Sequence, residues 1–374
     1  MKKSLLALAV ASIAASSIVS AATVYDKDGT SMDVYGRIQA VAYSQDSANT
    51  SASGDAGIVG SGRLGIDVRT QLTDGITAFG NVEWDVADSD GNDSFSNRYL
   101  WVGADFGQYG QLKAGRFEDA VYNGVTVVTD IFDDWGCAGQ IGNDDKRDGM
   151  VMYSWSGYGV DFMATYGSAK DGQTVNGAWA AEEELDIKNS YSVAVGYTTP
   201  DVLFGPISVK AGYGYARFQD DTGAGYEKDN LGNMINNRDY DNYKQWAAAI
   251  SWGGEVGPFI AALYNNRDFT MNGNGNDYAV QGVEAVLGYG FDCGVNVYAA
   301  WEWMNIDYDG NGPEAYDSNA YTIPVYVNYA ITPNFNVWVE ARFDAGTDDD
   351  FKAASNNCRD FEQDVYSVGA RYTF

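Results

Sequence analysis

Histidine is absent from this chain of 374 residues, and cysteine and proline are scarce, with three and six copies. The absence of imidazole excludes His-dependent catalytic triads and zinc sites that need histidine ligands. No glycine-rich phosphate-binding loop occurs. Residues 307–312 match only the first half of a calcium-binding loop, whose twelfth position is Ser318 instead of glutamate. We therefore predict that the protein is not an enzyme and has no cofactor and no dedicated metal site.

Positive charge is the second shortage. The chain has 23 Lys and Arg residues against 52 Asp and Glu residues, for a net charge of −29. Without Lys2 and Lys3 the remainder carries 21 basic against 52 acidic residues, or −31. Nucleic-acid binding is excluded as a function, because it needs a basic surface.

Long apolar runs are also missing, apart from the N-terminal segment. That segment combines a positive start, an apolar stretch over 5–19 and small residues at 19–21. This pattern predicts a cleaved signal peptide over 1–21, with export of a mature chain that begins at Ala22. The alternative is a transmembrane anchor, but serines interrupt the apolar stretch, which is shorter than the roughly 20 residues of a spanning helix.

What the chain does contain is many segments of about ten residues in which apolar and polar residues alternate. In 63–72, for example, Leu64 and Ile66 alternate with Arg63 and Asp67. Charges at every second position of an apolar strand fit a strand with one face in lipid and the other in water. The pattern favours a transmembrane β-barrel, and a soluble all-β protein is the alternative.

Sixteen such segments can be counted, joined alternately by short turns and by long, acidic, Gly- and Asn-rich loops. The last segment, 363–374, ends the chain with an aromatic and apolar face. We predict an all-β, 16-stranded antiparallel transmembrane barrel over 22–374, closed from first to last strand, with both termini on the periplasmic rim. The predicted strands are 32–44, 63–72, 77–85, 98–106, 111–116, 147–155, 160–166, 190–198, 207–218, 242–252, 257–269, 278–289, 295–306, 320–329, 336–344 and 363–374.

Short motifs along the predicted mature chain carry a family resemblance. They are 22–29 followed by 33–37, Arg63-Leu64-Gly65, Asn97-Arg98-Tyr99, Ala114-Gly115-Arg116 and the terminal Tyr372-Thr373-Phe374. In this order they resemble the general, non-specific trimeric porins of Gram-negative outer membranes. The resemblance implies a homotrimer in the outer membrane, in contact with its lipid and lipopolysaccharide. It also implies passive diffusion of small hydrophilic solutes and ions.

The resemblance further implies a third external loop that folds inward and narrows the lumen, here 117–146. Its acidic side would consist of Asp130, Asp133 and Asp134. The opposite, basic side would consist of Arg37, Arg63, Arg98 and Arg147. The Pro-Glu-Phe-Gly-Gly run of the family is replaced here by residues 132–136. Arg37 and Arg63 also fall on the water-facing side of the alternation, independently of the resemblance. The alternative is that all these residues are ordinary solvated charges.

The sequence thus predicts an outer-membrane pore for small hydrophilic solutes and ions. Acidic inner faces and loops concentrate cations and repel anions, so we expect a preference for cations. Two alternatives stay open: a solute-selective channel, and a structural or adhesive barrel whose lumen is blocked.

The three cysteines are an odd number, so at least one has no partner within the chain. Cys293 falls in a predicted periplasmic turn, whereas Cys137 and Cys358 fall in predicted external loops. An apolar band about 25 Å tall separates the two rims, and a disulfide needs Cα atoms within about 7 Å. Cys137 with Cys358 is the remaining pair, and the sequence does not give their distance.

Overall fold

The computed structural model describes residues 21–44, 57–88, 95–136, 139–141, 145–176, 182–220, 227–228, 234–236, 240–271, 278–308, 316–348, 351 and 361–374. These residues form twenty strands, one short helix α1 (Ala120–Gly124) and two 3₁₀ turns (Gly107–Tyr109 and Thr126–Val128). The strands are β1 Ala22–Lys27, β2 Thr30–Tyr43, β3 Gly57–Thr73, β4 Ile76–Asp88, β5 Ser96–Asp105, β6 Gln111–Phe117, β7 Arg147–Gly157, β8 Val160–Gly167, β9 Lys170–Asn176, β10 Glu182–Thr198, β11 Ile207–Phe218, β12 Glu227–Lys228, β13 Met234–Asn236, β14 Tyr240–Gly253, β15 Gly257–Met271, β16 Tyr278–Gly290, β17 Val295–Tyr308, β18 Tyr316–Thr332, β19 Phe335–Asp344 and β20 Val365–Thr373. Within the described part of the chain, no helix has the length and apolar character needed to cross a membrane.

Sixteen of these strands close into one antiparallel barrel. Each pairs with its neighbour along the chain, and β20 pairs with β2 to join the last strand to the first. Closure leaves neither edge of the sheet open to another chain. The barrel strands are β2 to β8, β10, β11 and β14 to β20. The predicted 16-stranded antiparallel barrel is confirmed.

Two further strands extend barrel strands lengthwise. β1 pairs with residues 30–34 of β2, and β20 pairs with residues 37–43 of the same strand, so β1 and β20 lie end to end. Gly36 and Phe374 exchange two backbone hydrogen bonds of 2.8 and 2.9 Å at this junction. β9 continues beyond β8 and pairs with the first residues of β10. Sequence reasoning predicted neither extension.

The two faces of the barrel differ as the alternation predicts. On β20, Tyr366, Val368 and Tyr372 are exposed large hydrophobic residues, whereas Val365 and Ser367, which alternate with them, are buried. The exposed apolar face suits lipid, and the opposite face lines the interior with many buried polar and charged side chains. The interior is therefore the place to look for a functional site.

Pro324 lies within β18, where sequence reasoning gave no account of a proline. Its partner Arg342 on β19 keeps its place in the ladder, but pairing with β17 skips Ala300 and Trp301. Proline has no N–H to donate, so the ladder between β17 and β18 is interrupted beside Pro324.

Short connections gather at one rim and long connections at the other. Tyr158 and Gly159 join β7 to β8 with positive φ angles of 56° and 81°, as in a type I′ hairpin turn. At the other rim, residues 118–146 separate β6 from β7 and contain α1. Cys293 is an exposed free cysteine between β16 and β17. The segment 1–20, Cys137 and Cys358 lie outside the described residues.

Candidate functional site

The connection between β6 and β7 begins with α1, which rests on the interior of the barrel wall. Asp119 caps the helix, because its carboxylate accepts hydrogen bonds from the N–H groups of Val121 and Tyr122, at 2.9 and 3.0 Å. The N–H of Ala120 donates to Ser192 Oγ on β10 at 3.0 Å. The helix is thereby fixed on the β10 side of the wall, where Val121 packs in an apolar cluster with wall residues that include Ala194.

Further along, the segment reaches the opposite part of the wall. The carboxylate of Glu340 on β19 accepts hydrogen bonds from the N–H groups of Asp133, Asp134 and Trp135, at 2.9, 3.0 and 2.6 Å. Three consecutive backbone donors thus converge on one carboxyl group, which ties residues 133–135 to β19.

The side chain of Asp133 binds two wall residues. It accepts hydrogen bonds from the hydroxyl of Tyr326 and from Arg371 Nη2, both at 2.6 Å. Burial raises the pKa of this carboxyl, but the charge of Arg371 and the hydrogen bond from Tyr326 lower it by more. The pKa of Asp133 therefore lies below its ordinary value, and the side chain stays ionised.

Asp134 makes three hydrogen bonds to neutral donors. It accepts from the hydroxyl of Tyr43 at 3.0 Å, from Trp338 Nε1 at 2.9 Å and from Ser367 Oγ at 2.6 Å. Burial raises the pKa of this carboxyl by more than the bonds from Ser367 and Trp338 lower it. Asp133 and Asp134 are adjacent in sequence, yet the pKa of Asp133 is lowered and that of Asp134 is raised.

Asp130 differs from both, because it is exposed. Its carboxylate accepts a hydrogen bond of 2.6 Å from the hydroxyl of Tyr122 in α1. Burial and the negative charge of Asp130 raise the pKa of the Tyr122 hydroxyl, which stays a donor. Of the three predicted acidic residues, Asp130 is the one whose side chain meets water most fully.

The segment then returns across the wall on β14 to β16. Asn265 Nδ2 donates to the carbonyl of Gly139, and Asn265 Oδ1 accepts from the N–H of Ile141 at 3.0 Å. Gln245 Nε2 donates to the carbonyl of Ile141 at 3.2 Å. A Cβ on Gly282 would overlap the carbonyl oxygen of Gly139, so the close approach requires glycine there.

Buried ion pairs fix the two ends of the segment. Lys146 Nζ lies 3.3 Å from Glu118 Oε1. Asp145 Oδ2 lies 2.9 Å from Arg147 Nη2 and 2.7 Å from Arg267 Nη1. Arg147, predicted for the basic side of the constriction, is 4% exposed and serves this cluster.

Three of the four predicted arginines lie close together on another part of the wall. Arg37 on β2 is the cross-strand partner of Arg63 on β3. Arg63 Nε donates to Asp85 Oδ1 at 3.0 Å, and Arg98 Nε donates to Glu83 Oε1 at 3.0 Å. Arg98 Nη1 also lies 3.4 Å from Asp85 Oδ2. The structure brings Arg37, Arg63 and Arg98 together and places Arg147 elsewhere.

Sequence reasoning missed Glu340 and Arg371, which hold residues 133–135. A signal existed, because Glu340 and Arg371 both alternate with apolar residues along their strands. Alternation gives the face of a residue but not its height in the barrel, and it therefore did not show that these two meet the loop.

A profile described as Gram-negative porin matches residues 6–349. The chain is 27% identical to outer membrane porin PhoE of Enterobacter cloacae and 28% identical to outer membrane porin protein OmpD of Salmonella typhimurium strain LT2, over the full length of all three chains.

Solved structures show the same fold. Salmonella typhi OmpF in a complex with daunomycin has a TM-score of 0.71 at 20% identity, over 94% of this chain and 100% of that chain. An anion-selective porin from Comamonas acidovorans has a TM-score of 0.64 at 15% identity, over 92% of this chain and 100% of that chain. With a closed 16-stranded barrel and a family profile that spans most of its sequence, this chain belongs to the Gram-negative porin family and is an outer-membrane pore, not an enzyme.

Proposed function

We propose that the protein lets small hydrophilic solutes and ions diffuse passively through a lumen that residues 117–146 narrow. The observation that carries this proposal is the difference between the two parts of the inner wall. Residues 120–141 bind wall side chains from Ser192 to Glu340. On the arginine side, by contrast, the side chains of Arg63 and Asp85 remain 28% and 40% exposed. Water therefore has room beside the arginines.

The constriction would carry an electric field across the pore. Asp130 lies on the loop side, and Arg37, Arg63 and Arg98 lie on the wall. Fixed charges of opposite sign on two sides of a narrow, low-dielectric passage guide cations along one side and anions along the other.

Cation preference is the finer part of the proposal. Glu83 and Asp85 pair with Arg63 and Arg98, so much of the arginine charge is balanced within the wall. The whole chain carries −29, which favours cations at the mouths. The fold does not decide the sign, since one structure of the same fold is titled an anion-selective porin.

Self-association into a trimer is also proposed. OmpT of Vibrio cholerae, which has the same fold, was solved in a form described as a trimer. A barrel with an exposed apolar outer face can bury part of that face against copies of itself and leave the rest to outer-membrane lipid and lipopolysaccharide. We expect the polar loop 87–97 to reach toward a neighbouring copy, and most of this loop lies outside the described residues.

Single-channel recording in planar bilayers tests the proposal. A stable open level near neutral pH is expected, and its absence would favour the structural or adhesive barrel with a blocked lumen. Swelling of liposomes in sugars of increasing size distinguishes a general pore from a solute-selective channel. A general pore admits neutral sugars in order of size, whereas a solute-selective channel admits one sugar out of that order.

A further inference from the structure

Two glutamates face one another beneath the loop, in a place that the proposed constriction does not use. Glu284 on β16 and Glu302 on β17 are direct cross-strand partners. Each is 1% exposed, and both side chains lie on the inner face. Side chains of such partners have Cβ atoms about 4.5–5.5 Å apart, and like charges placed there destabilise a sheet. Such a pair is costly unless a cation or a proton lies between the two carboxyl groups.

A third side chain brings an unsatisfied oxygen to the same place. Gln140 in the loop is 1% exposed, and its Nε2 donates to Glu284 Oε2 at 3.2 Å. The other oxygen of that carboxylate, Glu284 Oε1, is buried without a hydrogen bond, and so is Gln140 Oε1. Buried acceptors without a donor are uncommon and costly, at about 1–3 kcal/mol each. Two of them on touching side chains indicate that an electron-pair acceptor belongs between them.

Apart from Gln140 Nε2, the polar side chains described around the two carboxyl groups offer oxygen atoms. The hydroxyl of Thr322 donates to Glu302 Oε2 at 2.7 Å, and the Thr129 side chain lies close to the Glu284 carboxyl group. Asp130 adds a further negative charge near Glu284. In the described part of the chain, none of the hydrogen bonds to the Glu284 carboxylate comes from a lysine or arginine.

The loop backbone covers the site. Gly139 lies directly on the backbone of Gly282 and Val283, and its position leaves no room for a Cβ beside the Glu284 side chain. Val128, Ile131 and other apolar residues pack nearby against the wall. The site is thus closed by the loop and is not open to the lumen along its length.

We propose that Glu284, Glu302 and Gln140 bind one hard divalent cation, Ca²⁺, between the loop and the wall. Two carboxylates carry the two negative charges that one Ca²⁺ neutralises, and carboxylate, amide and hydroxyl oxygens are the ligands that it takes in flexible geometry. The bound ion removes the repulsion across β16 and β17 and satisfies both orphan oxygens. The ion also links Gln140 in the loop to the two glutamates of the wall. The sequence did not predict this link.

Calcium binding and stability together test this site, and neither readout depends on pore conductance. The full chain is refolded in detergent free of lipopolysaccharide, stripped with a chelator and titrated with CaCl₂ by calorimetry. We expect one Ca²⁺ site per chain that binds more tightly than the acidic loops do. We also expect the folded protein to withstand a higher temperature with Ca²⁺ than without it. Glu284→Gln and Glu302→Gln should each weaken this site by at least about tenfold.

Glu255→Gln is the matched control, because it removes one carboxylate charge from an exposed turn. It should leave both the site and its stabilisation unchanged. Without calcium, Glu284→Gln should be at least as stable as the unaltered chain, since it removes a like-charge contact. A shared proton between the two carboxyls is the competing account. It predicts no Ca²⁺ response and stability that depends on pH alone, and that result, or a Glu284→Gln variant that binds Ca²⁺ normally, would overturn the proposal.

Discussion

The three acidic residues Asp130, Asp133 and Asp134 lie close together in sequence, but their side chains have different surroundings. Asp133 faces a charged partner, Arg371, whereas Asp134 faces three neutral donors. Asp130, three residues before Asp133, is exposed to water. A run of acidic residues that looks uniform in sequence therefore divides into one exposed residue and two that anchor the loop.

Asparagine substitutions distinguish the two anchors. Asp133→Asn removes a charge-assisted bond and leaves Arg371 without its partner, so it should cost about 1.5–3 kcal/mol in the free energy of unfolding. Asp134→Asn should cost less. Its amide oxygen keeps the bonds from Trp338 and Ser367, and the Tyr43 hydroxyl can turn to accept from the amide. Urea unfolding in detergent at pH 7 measures both, and equal losses would contradict these roles.

The same pair gives a pH dependence. The pKa of Asp133 is depressed, so its stabilisation is fully present above the unfolded value of about 3.9 and is lost only as the pH falls through the lower, folded pKa. The cost of Asp133→Asn should accordingly persist from pH 7 down to about pH 4. The pKa of Asp134 is raised, so acid relieves its burial instead of removing a stabilising charge. A cost of Asp133→Asn that vanishes by pH 6 would be inconsistent with this assignment.

Arg63→Ala should increase the preference for cations. It leaves Asp85 with one arginine fewer and removes a positive charge from the wall. A unit charge about 5 Å away in water contributes roughly 0.8 kcal/mol, or about a fourfold change in local ion concentration. Reversal potentials in a potassium chloride gradient measure the change. Arg217→Ala, which removes a charge from an exposed position, is the matched control and should have no effect.

Which residues line the wall could be predicted only in part. Arg37 and Arg63 follow from alternation, because period-two patterning fixes the face of a strand residue. Arg147 has the same face but begins β7 beside the base of the loop, where Asp145 and Arg267 bind it. Height along the barrel depends on register between strands, and a single sequence does not reveal register.

At the scale of elements, the strands were predictable because each has one exposed apolar face. Thirteen of the sixteen barrel strands contain the whole predicted segment, and the other three differ from it by one or two residues at an end. Several strands run further toward the long-loop rim. β10, for example, begins at Glu182 instead of Ser190. β1 was missed because its residues are exposed on both faces, and a strand without a buried face has no alternating signature. The path of residues 118–146 was not predictable, since it depends on side chains from distant strands.

The seat of the loop on β16 can be disturbed by one methyl group. Gly282→Ala places a Cβ against the carbonyl of Gly139, so the loop must move or the sheet must yield, at a cost of about 1–3 kcal/mol. Gly254→Ala adds the same methyl group in a turn with open space and should cost little. Urea unfolding compares the two, and limited proteolysis should cut the displaced loop more quickly in Gly282→Ala. Equal stability and equal cleavage would show that the contact is not tight.

At the scale of the whole molecule, the proposed trimer can be tested by its resistance to detergent. Unheated protein in mild detergent should migrate as a trimer and fall to the monomer position after boiling, because native barrels resist the detergent until heated. Gentle extraction that yields monomer alone would contradict the proposed trimer.

Replacement of Tyr372 by Asp places a charge on the outer face of the closing strand, and we expect less assembled protein in the membrane.

Ion preference is a property of all the charges together, and its dependence on salt shows whether they act through water. In the proposed pore, the net charge of −29 and the exposed Asp130 would draw cations toward the passage, and the paired arginines would offset this locally. Screening shortens the reach of these charges from about 10 Å at 0.1 M salt to about 3 Å at 1 M. The cation preference of the unaltered protein should therefore decline steadily between these concentrations. Asp130→Asn should reduce it most at low salt. Reversal potentials measured at a fixed potassium chloride ratio and rising mean concentration test both points. An anion-selective protein, or a preference independent of salt, would mean that the acidic surfaces do not control which ions pass.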